Sequence, residues 1–256
     1  MNPDITELLR SWPYDPDNEV RIISANDGRE VIQVRTPLGI EQMELHGRPD
    51  GLRPMGMESF FDYYLSQLEK AKKEGRESEF ELNHAQCIEL FNEATLYYLR
   101  YLRLFQLQRW ELTIRDTNRN LRVFDFVKEY ACEETDKWYL EKWRPYILRI
   151  NGVARAMLVL ESGDPYAAIN IVQDTINKIR SLPPLEDETF EFEYARSLKA
   201  LEELLTHLRN TFGKSELERL EEELRWAIEE QAFERAAELR DRIRALKAKQ
   251  TPPANN

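Results

Sequence analysis

The sequence predicts a mainly α-helical chain, with a small antiparallel β meander at the N-terminus and an antiparallel helical hairpin at the C-terminus. Three observations predict it. Five of the nine glycines and six of the twelve prolines fall within the first 57 residues, so turn chemistry is concentrated at one end. From Glu58 onward apolar residues recur at three-to-four spacing, the period of a buried helix face. The last part of the chain carries two narrow apolar stripes on segments of opposite net charge. A length of 256 residues allows one large domain or a domain with appendages. The 42% hydrophobic share is enough for a core, and the 32% charged share exceeds the usual roughly one quarter, as long surface helices do.

Within residues 1–57, Val20–Ser24 and Glu30–Val34 are rich in β-branched side chains, and Asn26-Asp27-Gly28 lies between them. Asp-Gly tolerates the positive φ of a tight hairpin turn. Pro37-Leu38-Gly39 punctuates again, and Ile40–Leu45 reads as a third strand. Three strands alone are marginal and need a helix over one face. The run from Gly47 through Arg48, Pro49, Asp50, Gly51 and Arg53 to Pro54 is dense in turn formers. It reads first as a structural turn. The sharper reading is a contact loop presenting Arg48, Asp50 and Arg53.

Residues 58–212 read as a helical body. Phe60, Phe61, Tyr64, Leu65 and Leu68 share a face, and Gly75 ends that helix. A long helix is expected from about Glu79 to Leu112. Its apolar residues spread over more than one stripe, so neighbours should cover it. Thr117 or Asn118 is expected to cap the next helix. Helix continues from Glu134 to Ile150, with a kink or break at Pro145 and an interruption at Asn151-Gly152. Gly163-Asp164-Pro165 is a stop-and-restart signal, opening a helix from Tyr166 to Leu182 that Pro183-Pro184 ends. A last body helix runs from Glu188 to Phe212 and closes at Gly213. Ala156–Leu160, Gly163–Tyr166 and Ala168-Ile169 follow the order of a tetratricopeptide unit, but no period of 34 recurs, so a plain helical hairpin is favoured over a repeat array. Trp138, Tyr139, Trp143 and Tyr146 read as helix-packing core.

Residues 214–249 form the expected hairpin, and 250–256 a disordered tail. Ser215 with Glu218 makes a capping-box pair. Leu217, Leu220, Leu224 and Ala227 or Ile228 make one stripe, and Phe233, Ala236, Ala237, Leu239, Ile243 and Leu246 mark the other. Ala236 and Ala237 permit close approach, and Phe233 is expected to plug the closed end. Seven acids and two bases lie between Glu216 and Glu230, against three acids and six bases between Phe233 and Lys249. Opposite signs favour pairing, and bases suit the C-terminal end of a helix dipole.

The run Phe233-Glu234-x-Ala236-Ala237-x-Leu239-Arg240-Asp241-x-Ile243 resembles the UVR motif of the bacterial excision-repair proteins UvrB and UvrC, of some Clp ATPases and of protein-arginine kinase activators. The resemblance implies an antiparallel hairpin that docks on other proteins, often on a second UVR hairpin. It implies that Phe233, Ala236, Ala237, Leu239 and Ile243 belong to the binding element, with Arg240, Asp241 and Arg244 exposed to the partner. No P-loop, nuclease-like cluster or paired CxxC module accompanies it, so the resemblance implies a mode of interaction rather than a pathway. The N-terminal runs Leu38–Glu44 and Gly47–Gly51, followed by helices and this hairpin, resemble a bacterial family of UVR-containing proteins, a likeness that brings no activity with it.

Other constellations are weaker. Arg100, Arg103, Arg109, Arg115, Arg119 and Arg122 interleave with Tyr101, Phe105 and Trp110, the residue types that neutralise and stack nucleic acid. The plainer account pairs them with acids of neighbouring helices, in keeping with 47 acidic residues and a net charge of −11, which also argues against broad nonspecific DNA binding. Asp125, Glu129, Glu133, Glu134 and Asp136 read as a solvated face rather than acid–base machinery. His46, His84 and His207 are scattered, so no metal site is expected, and no cofactor. Cys87 and Cys132 read as buried reduced thiols. The start MNPDITELLRSW lacks the pattern of a signal peptide, and no apolar run reaches the roughly 18 residues of a membrane span. The expected protein is a cytoplasmic, non-enzymatic bacterial adaptor or regulatory subunit that binds a protein, another UVR hairpin or a second copy of itself. The alternative is a nucleic-acid-repair accessory that uses the arginine segment.

Overall fold

The computed structural model describes residues 4–213, 216–230 and 232–250. A short helix α1, Thr6–Ser11, opens the chain. The sequence reading missed it. Six residues show too little periodicity to stand out, and the N-cap is Ile5, whose side chain cannot cap; the Asp4 carboxylate just before it accepts from the Thr6 amide at 2.9 Å.

The meander forms as expected: β1 Val20–Ser24, β2 Glu30–Thr36 and β3 Gly39–Glu44, in the order β1-β2-β3, all antiparallel. Register pairs Ile22 with Ile32 and Ile32 with Met43. Gly28 has φ +86°, the conformation a Cβ disfavours. Ile32 and Val34 pack with Val20, Met43 and Leu45 onto Leu104 of the helical body, which supplies the cover that the sheet needs. The opposite face is closed by polar groups. Arg35 donates to the Trp12 carbonyl at 2.7 Å, and Gln33 accepts from Arg21 and donates to Gln42.

Ser59 caps α2, Phe60–Lys73, by accepting from the Asp62 amide, and a reciprocal Asn83–Gln86 box opens α3, His84–Gln106. The expected helix from Glu79 to Leu112 is in fact divided. It starts five residues later and ends at Gln106, where Gln108 takes φ +56° and turns the chain into α4, Trp110–Tyr130. A glutamine in left-handed geometry gives no sequence signal. Thr117 and Asn118 are therefore interior to α4 and not caps.

Next come α5 Glu134–Tyr139, a 3-10 turn at Glu141–Trp143, and α6 Arg144–Glu161, with Pro145 in the first turn of α6. The break thus falls just before the proline, where its missing N–H costs nothing. Asn151-Gly152 does not interrupt α6. Asn151 instead donates to Thr117 at 2.9 Å and to Asn118 at 2.8 Å, locking α6 to α4. A Cβ on Gly152 would lie 2.3 Å from Thr175 Oγ1, so this glycine serves close helix contact. Asp164 caps α7, Pro165–Arg180, and Asp187 caps α8, Glu188–Phe212, which ends at Gly213. Helices α6 and α7 form the expected hairpin, and α8 lies against both.

Two apolar clusters hold the body. Phe61, Leu90, Val123 and Val127 anchor one among α2–α4, and Val172, Ile176, Ile179 and Leu201 anchor the other among α6–α8. Cys87 is buried as expected, whereas Cys132 is exposed at the α4–α5 connection. Among the described residues, no helix is long and apolar enough to cross a membrane.

Candidate functional site: the C-terminal hairpin

Helices α9, Glu216–Glu229, and α10, Phe233–Gln250, fold back on each other. Leu220, Ala227, Ala236, Leu239 and Ile243 are buried in one seam, with Leu217, Leu224, Ala232 and Leu246 packed beside it. The turn is closed by the Ala232 amide donating to the Ala227 carbonyl at 2.8 Å. Lys247 pairs with Glu221 at 2.9 Å and Arg235 with Glu223 at 3.9 Å, so the charge opposition read from the sequence does join the helices. These pairs are half exposed and stabilise weakly.

Two expected roles change. Phe233 does not plug the closed end but stands 71% exposed, and Ala237 faces outward while Ala236 alone of the two enters the seam. Helix geometry explains the second point: adjacent residues lie about 100° apart, and Ala236 shares its face with Leu239 and Ile243. Ala227 takes the seam and leaves Ile228 53% exposed. Trp226, which the sequence reading passed over, is 65% exposed. Its signal was available, since Trp226 falls off the Leu220–Leu224–Ala227 stripe. Trp226, Ile228 and Phe233 thus bracket the turn as exposed apolar side chains. Arg240, Asp241 and Arg244 are exposed as expected. The Ser215 capping box and residues 251–256 of the expected tail lie outside the described residues.

The arginine segment is largely committed internally. Arg100 is buried against Asp116, Arg103 pairs with Glu19, Arg115 with Asp116 and Arg119 with Glu93. Arg109 and Arg122 are exposed, and Arg122 lies over the Phe61 ring.

The Gly47–Pro54 loop is likewise tied down. Arg48 sits between Asp50 at 3.0 Å and the fully buried Glu93 at 3.5 Å, and the Gly47 carbonyl accepts from Arg100 at 2.7 Å. Glu93 in turn accepts from the Phe60 and Phe61 amides at 2.8 and 3.1 Å, a carboxylate at the N-terminus of α2 where the dipole favours it. Arg53 is exposed.

The fold brings His84 to Glu133 and Asp136, with one ligand atom of each within 4.8 Å of the others. A gap of about fifty residues hid this from a reading based on spacing. The set has divalent-cation donor chemistry, and the hydrogen-bond contact of His84 Nδ1 with Asp136 at 3.0 Å also accounts for it as a tie between α3 and α5. Trp138, Tyr139 and Trp143 are not core. They are 38%, 49% and 41% exposed, and the last two line a cleft in the helical body.

Residues 214–249 match the family model of the UvrB/uvrC motif, UVR. No curated protein and no solved structure matches the chain.

Proposed function

We propose that the chain is a non-enzymatic adaptor that captures a protein partner through the α9–α10 hairpin. The observation that carries this reading is the exposure of Trp226, Ile228 and Phe233 around the turn of a hairpin that matches the UVR motif. Large apolar side chains left exposed on an element whose own seam is already filled are the usual anchors of a binding surface. Arg240, Asp241 and Arg244 supply a polar margin that fixes orientation. A UVR hairpin on another protein, or on a second copy of this chain, is the partner that the motif favours.

The test is affinity capture with the full chain, with a chain lacking residues 214–256, and with a Trp226→Ala/Phe233→Ala double variant. The reading expects a defined partner on the full chain that both altered forms lose. Recovery of the same partner by all three overturns it.

A further inference from the structure

The helical body contains a cleft of about 420 Å³ whose lining includes no described residue of the hairpin. Its walls come from α3, α4, the end of α5, the α5–α6 connection, α6 and α8. They are dominated by aromatic rings, among them Tyr98, Tyr101, Tyr139, Trp143 and Tyr146. Tyr139 stacks on Phe91 with centroids 4.5 Å apart, and Tyr98 meets Tyr101 and Tyr146 edge to face. The volume is in the range of small-molecule sites, roughly 300–1,000 Å³.

Glu193 on α8 also lines the cleft, with 5% of the residue exposed. Its Oε1 accepts from Arg196 at 3.2 Å. Its Oε2 is shielded from solvent and accepts no hydrogen bond among the described residues; Arg149 forms only a long ion pair with it, at 3.9 Å. A buried carboxylate oxygen without a donor is costly, which makes it the point in the cleft where an arriving donor gains most.

The surrounding charge decides what kind of donor fits. Aromatic walls with one carboxylate would suit a cation, but the cations are already present. Arg149 lies over Tyr146 at 5.2 Å from the ring centroid and Lys142 over Tyr139 at 4.5 Å, and Arg149 and Arg196 both face Glu193. Burial and the nearby Arg196 already depress the affinity of Arg149 for its proton. A further positive charge is disfavoured here. A neutral or anionic molecule with a flat ring and an N–H is not.

We propose that this cleft binds a flat heteroaromatic small molecule whose ring lies among Tyr139, Trp143 and Tyr146 and whose N–H donates to Glu193. Ring stacking supplies affinity, and the carboxylate oxygen that lacks a hydrogen bond supplies selectivity for a donor. Arg196, about half exposed, can swing toward solvent as the ligand enters.

The experiment is saturation-transfer NMR on the full chain with indole, 7-azaindole and hypoxanthine, the N-methylated twin of each, and tetramethylammonium. At least one N–H heteroaromatic is expected to bind saturably, its N-methyl twin about tenfold more weakly, and tetramethylammonium not to compete; tenfold is the least that a lost hydrogen bond to a charged acceptor removes. Trp143→Ala should abolish the signal. Because Trp143 and Tyr139 are both about half exposed, Tyr139→Ser provides a second variant if the first is misfolded by circular dichroism. Absence of saturable binding, equal binding of the methylated twin, competition by tetramethylammonium, or unchanged binding in a folded variant would each overturn the proposal.

Discussion

Arg100 on α3 and Asp116 on α4 meet in a two-pronged ion pair, at 2.7 and 2.9 Å, with 1% of either side chain exposed. The same guanidinium donates to the Glu44 and Gly47 carbonyls at 2.9 and 2.7 Å, so one side chain ties both helices to the end of the sheet. Asp116→Ala leaves a buried cation with only carbonyl partners. It is expected to cost about 3–5 kcal/mol, read as a fall in the urea midpoint. An unchanged midpoint would show that the pairing of Asp116 with Arg100, and with Arg115 beside it, does not hold the two helices to the sheet.

At the α6–α7 crossing, no space exists for a methyl group on Gly152. Thr175 Oγ1, Cγ2 and Cβ would all lie within 2.8 Å of it. Gly152→Ala should therefore destabilise the body by about 1–3 kcal/mol despite alanine's better helix propensity. Adding Thr175→Ala should recover part of the loss. A stabilising Gly152→Ala, by thermal denaturation, would mean that the helices separate more cheaply than close packing implies.

Much of this fold was legible because its signals are local. Gly28, Asp164-Pro165, Pro183-Pro184 and Gly213 each mark a boundary by chemistry that acts within a few residues. The errors fell where tertiary contacts overrule such cues. Gln108 turns the chain with no glycine or proline, and Asn151-Gly152 looks like a break but is a contact. The hairpin could be read as an element from its stripes, yet not in detail: which of Ala236 and Ala237 faces in, and whether Phe233 is buried, depends on helix phase. The cleft was illegible, because Tyr98, Tyr139 and Glu193 lie on three separate elements. Their types said only that they pack.

The two thiols should differ in reactivity. Burial, with the Asp136 carboxylate adding to it, pushes the Cys87 thiol up to about 12, and none of its surface is exposed. Cys132 is exposed, but its hydrogen bond to the Glu81 carboxylate also raises its pKa and lowers its thiolate fraction. At pH 8 a disulfide reagent should label one cysteine in the native chain, slowly, and two in denaturant. The native rate should rise as pH increases from 7 to 9, because more Cys132 thiolate forms. Glu81→Gln should speed labelling by removing the charge that opposes ionisation. Peptide mapping that finds Cys87 labelled in the native state would contradict the packing of α3 against α4.

The hairpin separates stability from recognition in a way that two substitutions can resolve. Leu239 is buried in the seam, whereas Phe233 is 71% exposed. A seam of five buried side chains supplies only a few kcal/mol, and Leu→Ala in such a place costs about 2–5 kcal/mol. Leu239→Ala should therefore open α9 and α10 while leaving α2–α8 intact, because the hairpin's buried cluster is made from its own residues. In hydrogen exchange, protection should fall across residues 216–250 and stay unchanged across 60–212. Phe233→Ala should leave both regions protected, since it removes a side chain that the hairpin does not bury, yet should weaken partner capture. If Phe233→Ala instead unfolds the hairpin, then this ring closes its end after all, and the apolar surface left for a partner shrinks to Trp226 and Ile228.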